Sequence, residues 1–206
     1  MEFKISKENY FTRNIFLVIF LLFTFITNSQ NFDINTLRDI NLNRNSSLDP
    51  TFKTVTNSVV PISLGTPVII YAVGLIKKDS TVKKQAIFIG ETFLVSAFIT
   101  TALKQIAKRE RPFNKYSDLD QATSATGYSF PSGHTSTAFA TATSLSMEYP
   151  RWYVIVPSFV WAGAVGYSRM HLGVHYPSDV IAGAIIGSGS AYLSYKVNKW
   201  IYKRKI

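Results

Sequence analysis

A chain of 206 residues is long enough for one domain. At 47% hydrophobic and 14% aromatic residues, its mean hydropathy is still only +0.11, because apolar stretches alternate with short charged ones. No cysteine is present, which excludes disulfides, thiolate catalysis and cysteine-bound metal. The net charge of +10 admits nucleic acid as a partner, but the charges fall in loops rather than along one helix face, so no nucleic acid is expected.

Residues 1–30 open with Lys4, Lys7 and Arg13, continue with a 12-residue apolar run from Ile15 to Ile26, and end in small or polar residues. That pattern predicts a signal peptide. The run is short for a span, which needs about 20 residues, so an uncleaved first span is the alternative. Residues 31–57 are polar, with Phe32, Ile34, Leu37 and Ile40 at helical spacing. They predict an amphipathic helix at a membrane interface or a plain surface loop.

Residues 58–206 carry five longer apolar segments: Val59 to Ile76, Ala86 to Leu103, Thr135 to Met147, Tyr153 to Tyr167 and Val180 to Tyr195. The expected fold is an all-α, integral-membrane bundle of five long helices. The third segment is rich in Thr, Ser and Ala, which places it inside the bundle, and Gly183 and Gly187 predict close helix packing for the fifth. Charge sets the orientation. If the N-terminus starts in the cytoplasm and the segments alternate, inner stretches hold 13 of the 22 Lys and Arg residues: Lys4, Lys7, Arg13; Lys77, Lys78, Lys83, Lys84; Arg151; and Lys196, Lys199, Lys203, Arg204, Lys205. The charges thus predict an integral membrane protein with its N-terminus inside, and a bacterial inner membrane is the expected address.

Three chemical blocks then share the outer face: Lys104 to Pro112, Phe130 to His134, and Ser168 to Asp179. They contain all 3 histidines of the chain. Lys104 and Arg111 are expected on one helix face, two turns apart, with Arg169 joining from another segment as a third cation for a phosphate. Lys108, Arg109 and Lys115 read as cations snorkelling at the membrane edge or touching lipid head groups. Pro131 suits a first helical turn, leaving the N–H groups of Ser132, Gly133 and His134 to face an anion. With a helix starting near Pro177, Asp179 is placed to accept Nδ1–H of His175. That leaves Nε2 to attack phosphorus, with His134 protonating the leaving oxygen and then activating water. His171 is expected behind the site or on the surface. Glu91, about 20 Å below Lys104, is expected to make a structural hydrogen bond to a neighbouring Ser or Thr. The excess of cations argues against a metal, and no cofactor is expected.

The spacing K-x6-R-P, P-S-G-H and S-R-x5-H-x3-D resembles the type-2 phosphatidic acid phosphatase superfamily at Lys104, Arg111 and Pro112, at Pro131 to His134, and at Ser168, Arg169, His175 and Asp179. The resemblance implies a helical bundle with His175 as nucleophile, His134 as acid and base, and Asp179 as orienting group. It also implies Lys104, Arg111, Ser132, Gly133 and Arg169 as phosphate ligands, and a lipid phosphate or diphosphate substrate met among membrane lipids. A phosphotransferase shares every one of these residues. A vanadate-dependent haloperoxidase and a non-catalytic lipid-phosphate binder are the remaining alternatives.

Overall fold

The computed structural model describes residues 31–203, all of whose regular structure is helical. The signal-peptide or first-span segment, residues 1–30, lies outside the described residues. Helix α1 covers 31–42. A 3-10 turn at Ser46–Leu48, capped by the Asn45 side chain, leads into α2 (Asp49–Asn57), which carries Pro50 in its first turn. Then follow α3 (Val59–Ile76), α4 (Ser80–Ala107), the single-turn α5 (Pro112–Lys115), α6 (Gly133–Glu148), α7 (Trp152–His171) and α8 (Pro177–Lys203). The helices thus go beyond the five expected long ones, since α1 and α2 also pack on the bundle.

Helix α6 forms the axis and touches α3, α4, α7 and α8. Its small residues explain that place. Ala138, Ala140 and Ala142 are fully buried, and so are Thr135, Ser136, Thr141 and Ser144. Helix α8 approaches most closely through its glycines. A Cβ on Gly187 would stand 2.2 Å from Ser136 O, and one on Gly183 would stand 2.8 Å from Ser132 O. Nothing larger than hydrogen fits there. Hydroxyl pairs cross the same seams: Thr100 Oγ1 to Ser136 Oγ at 2.8 Å, Thr141 Oγ1 to Ser63 Oγ at 2.9 Å, and Thr143 Oγ1 to Ser188 Oγ at 3.2 Å. Such bonds average roughly 0.6 kcal/mol each in membrane bundles, so close backbone packing holds the helices and the hydroxyls set their register.

Large apolar side chains point outward instead, among them Val68, Leu94, Phe98, Val160 and Ile185. By length and apolarity alone, two stretches among the described residues qualify as spans, Ser46–Ile76 and Ser80–Lys115. Helix α6 falls short because it has only 16 residues and many of them are small and polar, with Thr135, Ser136, Thr141 and Ser144 buried against neighbouring helices. Glu91 finds a partner in α8, where Asn198 Nδ2 donates to its Oε2 at 2.8 Å. The partner is an amide rather than the expected hydroxyl.

Candidate active site

The blocks meet at one end of the bundle, where α4 ends and α6 and α8 begin. Helix α4 stops at Ala107, and Lys108 turns the chain with a left-handed φ of 46°. Pro112 disfavours helix at the residue before it, so Arg111 is extended and caps α5. Lys104 and Arg111 therefore do not share a helix face; a turn brings them together. Helix α6 begins two residues later than a first helical turn at Pro131 would put it. Pro131 precedes the cap, Ser132 is the cap, and its Oγ accepts the Thr135 N–H at 3.4 Å. The Ser132 N–H is also engaged, donating to Asp179 O at 3.0 Å and stitching α6 to α8. The amides of Gly133 and His134 remain as first-turn donors. Gly133 lies beside Lys104, whose Cε would be 4.0 Å from an added Cβ.

His175 occupies the short loop between α7 and α8 and is 1% exposed. Its Nδ1 lies 3.3 Å from Asp179 Oδ2, and its Nε2 lies 3.2 Å from Arg111 Nη1. Both neighbours select one tautomer. Nδ1 carries the proton toward the carboxylate, and the Nε2 lone pair faces the guanidinium. Burial pushes the His175 imidazole down to about 3; the Asp179 hydrogen bond opposes that shift, while Arg169 and Arg111 add to it. Burial alone would raise the Asp179 carboxyl, yet His175, Arg109 and Ser129 hold it below its ordinary range. His134, on the first turn of α6, feels Arg169, Arg111 and Lys104 together; with burial as the larger cause, it falls to about 4. Both imidazoles are therefore neutral near pH 7.

The three cations hold backbone and hydroxyl oxygens instead of carboxylates. Lys104 Nζ donates to Tyr128 O and Ser129 O. Arg111 donates to Thr126 O at 2.7 Å, to Gly127 O at 2.9 Å and to Val174 O at 2.9 Å. Arg169 Nη1 donates to Thr56 Oγ1 at 2.7 Å, and its buried Nε has no partner. Among the described residues no ion pair includes any of the three. The cluster thus concentrates positive charge around a neutral imidazole, an arrangement fitted to a bound anion.

Three more residues belong to this geometry. Ser129 Oγ donates to Asp179 Oδ2 and lies 3.4 Å from His175 Nδ1. Arg109, expected at the membrane edge, instead donates to Asp179 Oδ1 at 2.7 Å and to Asp33 Oδ2 at 2.7 Å. Ser129 stands one residue before the second block, a position with no motif letter to mark it. Asp33 lies 145 residues from Ser178, whose N–H it accepts at 2.8 Å, and no local pattern announces such a pairing. His171 is buried away from the cations, with Nε2 2.9 Å from Asp49 Oδ1.

A sequence model described as the PAP2 superfamily matches residues 85–203, more than half of the chain. The chain is 36% identical over 114 residues to an undecaprenyl-diphosphatase of Sulfolobus acidocaldarius, covering 53% of this chain and 55% of that one. It is 38% identical over 69 residues to a lipid A 4'-phosphatase of Bacteroides thetaiotaomicron, covering 34% and 31%. It therefore spans about half or less of the length of these relatives. Among solved structures, the crystal structure of Aquifex aeolicus LpxE matches with a TM-score of 0.68 at 27% identity, over 80% of this chain and 95% of that one. The transmembrane PAP2-type phosphatidylglycerolphosphate phosphatase of Bacillus subtilis matches with a TM-score of 0.70 at 24% identity, over 90% and 96%, and shares the fold.

Proposed function

This chain belongs to the PAP2 superfamily, and on that premise we propose that it is a membrane lipid phosphatase acting through a phosphohistidine at His175. The carrying observation is the imidazole held between Asp179 on one nitrogen and Arg111 on the other, at 3.3 and 3.2 Å. A phosphate bound by Arg111 sits where Nε2 can reach its phosphorus.

In the first step the Nε2 lone pair forms a bond to phosphorus and the P–O bond to the lipid breaks. His134 delivers a proton to the departing oxygen. In the second step His134 takes a proton from water, the water oxygen attacks phosphorus, and the N–P bond breaks to release inorganic phosphate. Asp179 accepts Nδ1–H throughout and stabilises the charge that develops on the ring. Lys104, Arg111 and Arg169, with the amides of Gly133 and His134, bind the equatorial oxygens; Ser132 contributes by capping the helix that presents those amides. The buried, unpartnered Arg169 Nε supports this role, because an orphaned donor costs stability that a phosphate oxygen would recover.

His134 needs a proton to act as acid, and the three cations oppose it. A substrate phosphate brings two negative charges among them, which raises His134 when the substrate is bound and not before. The chemistry needs no metal, since three fixed cations already supply the positive charge.

The substrate class is a lipid phosphate monoester or diphosphate. The apolar stretches 59–76, 86–103, 135–147, 153–167 and 180–195 span the bilayer, which leaves His134, His175 and Asp179 at its outer edge, and residues 1–30 are either a cleaved signal or a further span. Positive loops lie inside and the site opens outward, in a bacterial inner membrane. The test is phosphate release from lipid phosphates and diphosphates in detergent with EDTA present. Release that His175→Ala abolishes supports the reading, and release unaffected by that change sinks it.

A further inference from the structure

Arg109 lies inside the first block but at none of its fixed positions, and Asp33 lies outside the residues matched by the family. The two nevertheless close a ring of contacts on the first turn of α8. Arg109 Nη1 donates to Asp179 Oδ1 at 2.7 Å and to Ser178 Oγ at 2.6 Å. Its Nη2 donates to Asp33 Oδ2 at 2.7 Å, and its guanidinium lies 3.8 Å from the centre of the Tyr176 ring. Asp33, only 3% exposed, also accepts the Ser178 amide at 2.8 Å and the Ser178 hydroxyl.

The Asp179 carboxylate is therefore divided. Oδ1 belongs to Arg109, whereas Oδ2 receives the Ser129 hydroxyl, the Tyr176 amide at 3.0 Å and the His175 ring. A carboxylate with both oxygens engaged cannot rotate, so Oδ2 stays aimed at Nδ1. Without Arg109, a fully buried carboxylate would lose its only cationic partner among the described residues and draw harder on the imidazole proton. Without Asp33, Arg109 would keep Asp179 but lose the anchor that fixes its plane. We propose that Arg109 is a positioning residue that shares Asp179 with His175, and that Asp33 holds Arg109 in place, making helix α1 part of the catalytic apparatus. The inference rests on the reading of His175 as nucleophile.

The test uses the full chain in detergent, with a short-chain phosphatidate as probe and melting temperature as the check on folding. Arg109→Gln is expected to lower kcat about 100-fold and Asp33→Asn about 10-fold, with KM nearly unchanged, the range typical of groups that orient a reacting side chain. Arg109→Lys is expected to restore part of the loss. The double variant Asp33→Asn with Arg109→Gln is expected to be no worse than Arg109→Gln alone, because Asp33 acts through Arg109. Losses that add, a rise confined to KM, or full activity in Arg109→Gln would each overturn the proposal.

A second readout does not depend on turnover. His175 faces Asp179 on α8, Arg169 on α7, Arg111 before α5 and the Ser129 hydroxyl. In the wild type with 13C-labelled histidine, the His175 ring resonance is expected to titrate at lower pH than in Arg109→Gln. Coincident titrations would reject the role of Arg109. If no lipid phosphate is hydrolysed by the wild type, the phosphatase reading fails, while this titration still decides the geometry.

Discussion

Two imidazole–carboxylate pairs begin at histidines four residues apart in the chain, and we assign only one of them to a site. His171 Nε2 lies 2.9 Å from Asp49, and His175 Nδ1 lies 3.3 Å from Asp179. By distance the first is the closer pair, although its carboxylate is the less buried of the two. The surroundings separate them. Asp49 is shared with Arg44 at 3.0 Å, and Arg44 also pairs with Asp120, so two carboxylates answer that one arginine. The His171 ring packs 4.3 Å from Phe52, and its carbonyl accepts Asn41 Nδ2 at 3.0 Å. These contacts tie the segment of α1 and α2 to the end of α7 and to the loop at Asp120. Around His175 the balance is reversed, because among the described residues Lys104, Arg111 and Arg169 have no carboxylate in an ion pair and Asp179 is already held by Arg109. On the proposed reading, cations left without counter-charge are what separate the reactive histidine–aspartate pair from the structural one.

The sharpest way to break this contrast is His175→Ala. Loss of the attacking nitrogen is expected to lower phosphate release by about 10⁴-fold or more, with the melting temperature little changed. An activity loss that tracks unfolding would make His175 a strut like its neighbour. Next in size is Arg169→Ala, expected to cost about 10²- to 10³-fold in kcat/KM, as for the loss of one oxyanion donor. Arg169→Lys restores charge but not the fork, and is expected to recover only part. A loss below threefold in Arg169→Ala would remove it from the phosphate ligands. Third comes His171→Ala, which should move stability rather than chemistry. Losing a buried hydrogen bond and a ring packed on Phe52 is expected to cost about 2–3 kcal/mol, read as a lower unfolding midpoint in detergent. A large fall in kcat with an unchanged midpoint would overturn the assignment.

The sequence made the reacting pair legible because it is local. His175 and Asp179 are four residues apart at a helix entry, and Pro177 marks that entry. The positive-inside pattern also predicts a single face for the three blocks, and the structure brings them together at one end of the bundle. What the sequence hid was of two kinds. Arg109 sits two residues before Arg111 in a run of cations, and nothing in spacing tells which of them turns inward; the break of α4 at Ala107 decides it. Asp33 and Ser129 are recognisable only through contacts 145 and 50 residues away in the chain. Polar residues 31–57 likewise show their purpose only once Asp33, Asn41, Asp49 and Thr56 are seen reaching the ends of α7 and α8.

The smallest expected effect concerns acid, and it distinguishes the region of the cations by a different measurement. Burial and neighbouring positive charge hold His175 near 3 and His134 near 4, while in an unfolded chain both titrate near about 6.5. Between those values the unfolded state binds more protons than the folded one, so stability rises with pH across the window and is lost as pH falls through it. The detergent-solubilised protein is therefore expected to melt at progressively lower temperature from about pH 6.5 to pH 4. His134→Asn is expected to flatten that slope, because it removes one proton the folded state refuses. Inorganic phosphate should flatten it too, since an anion among Lys104, Arg111 and Arg169 offsets the charge that depresses His134. A slope indifferent to both would mean that His134 does not share the anion with the three cations, and the second region would then be no more a site than the first.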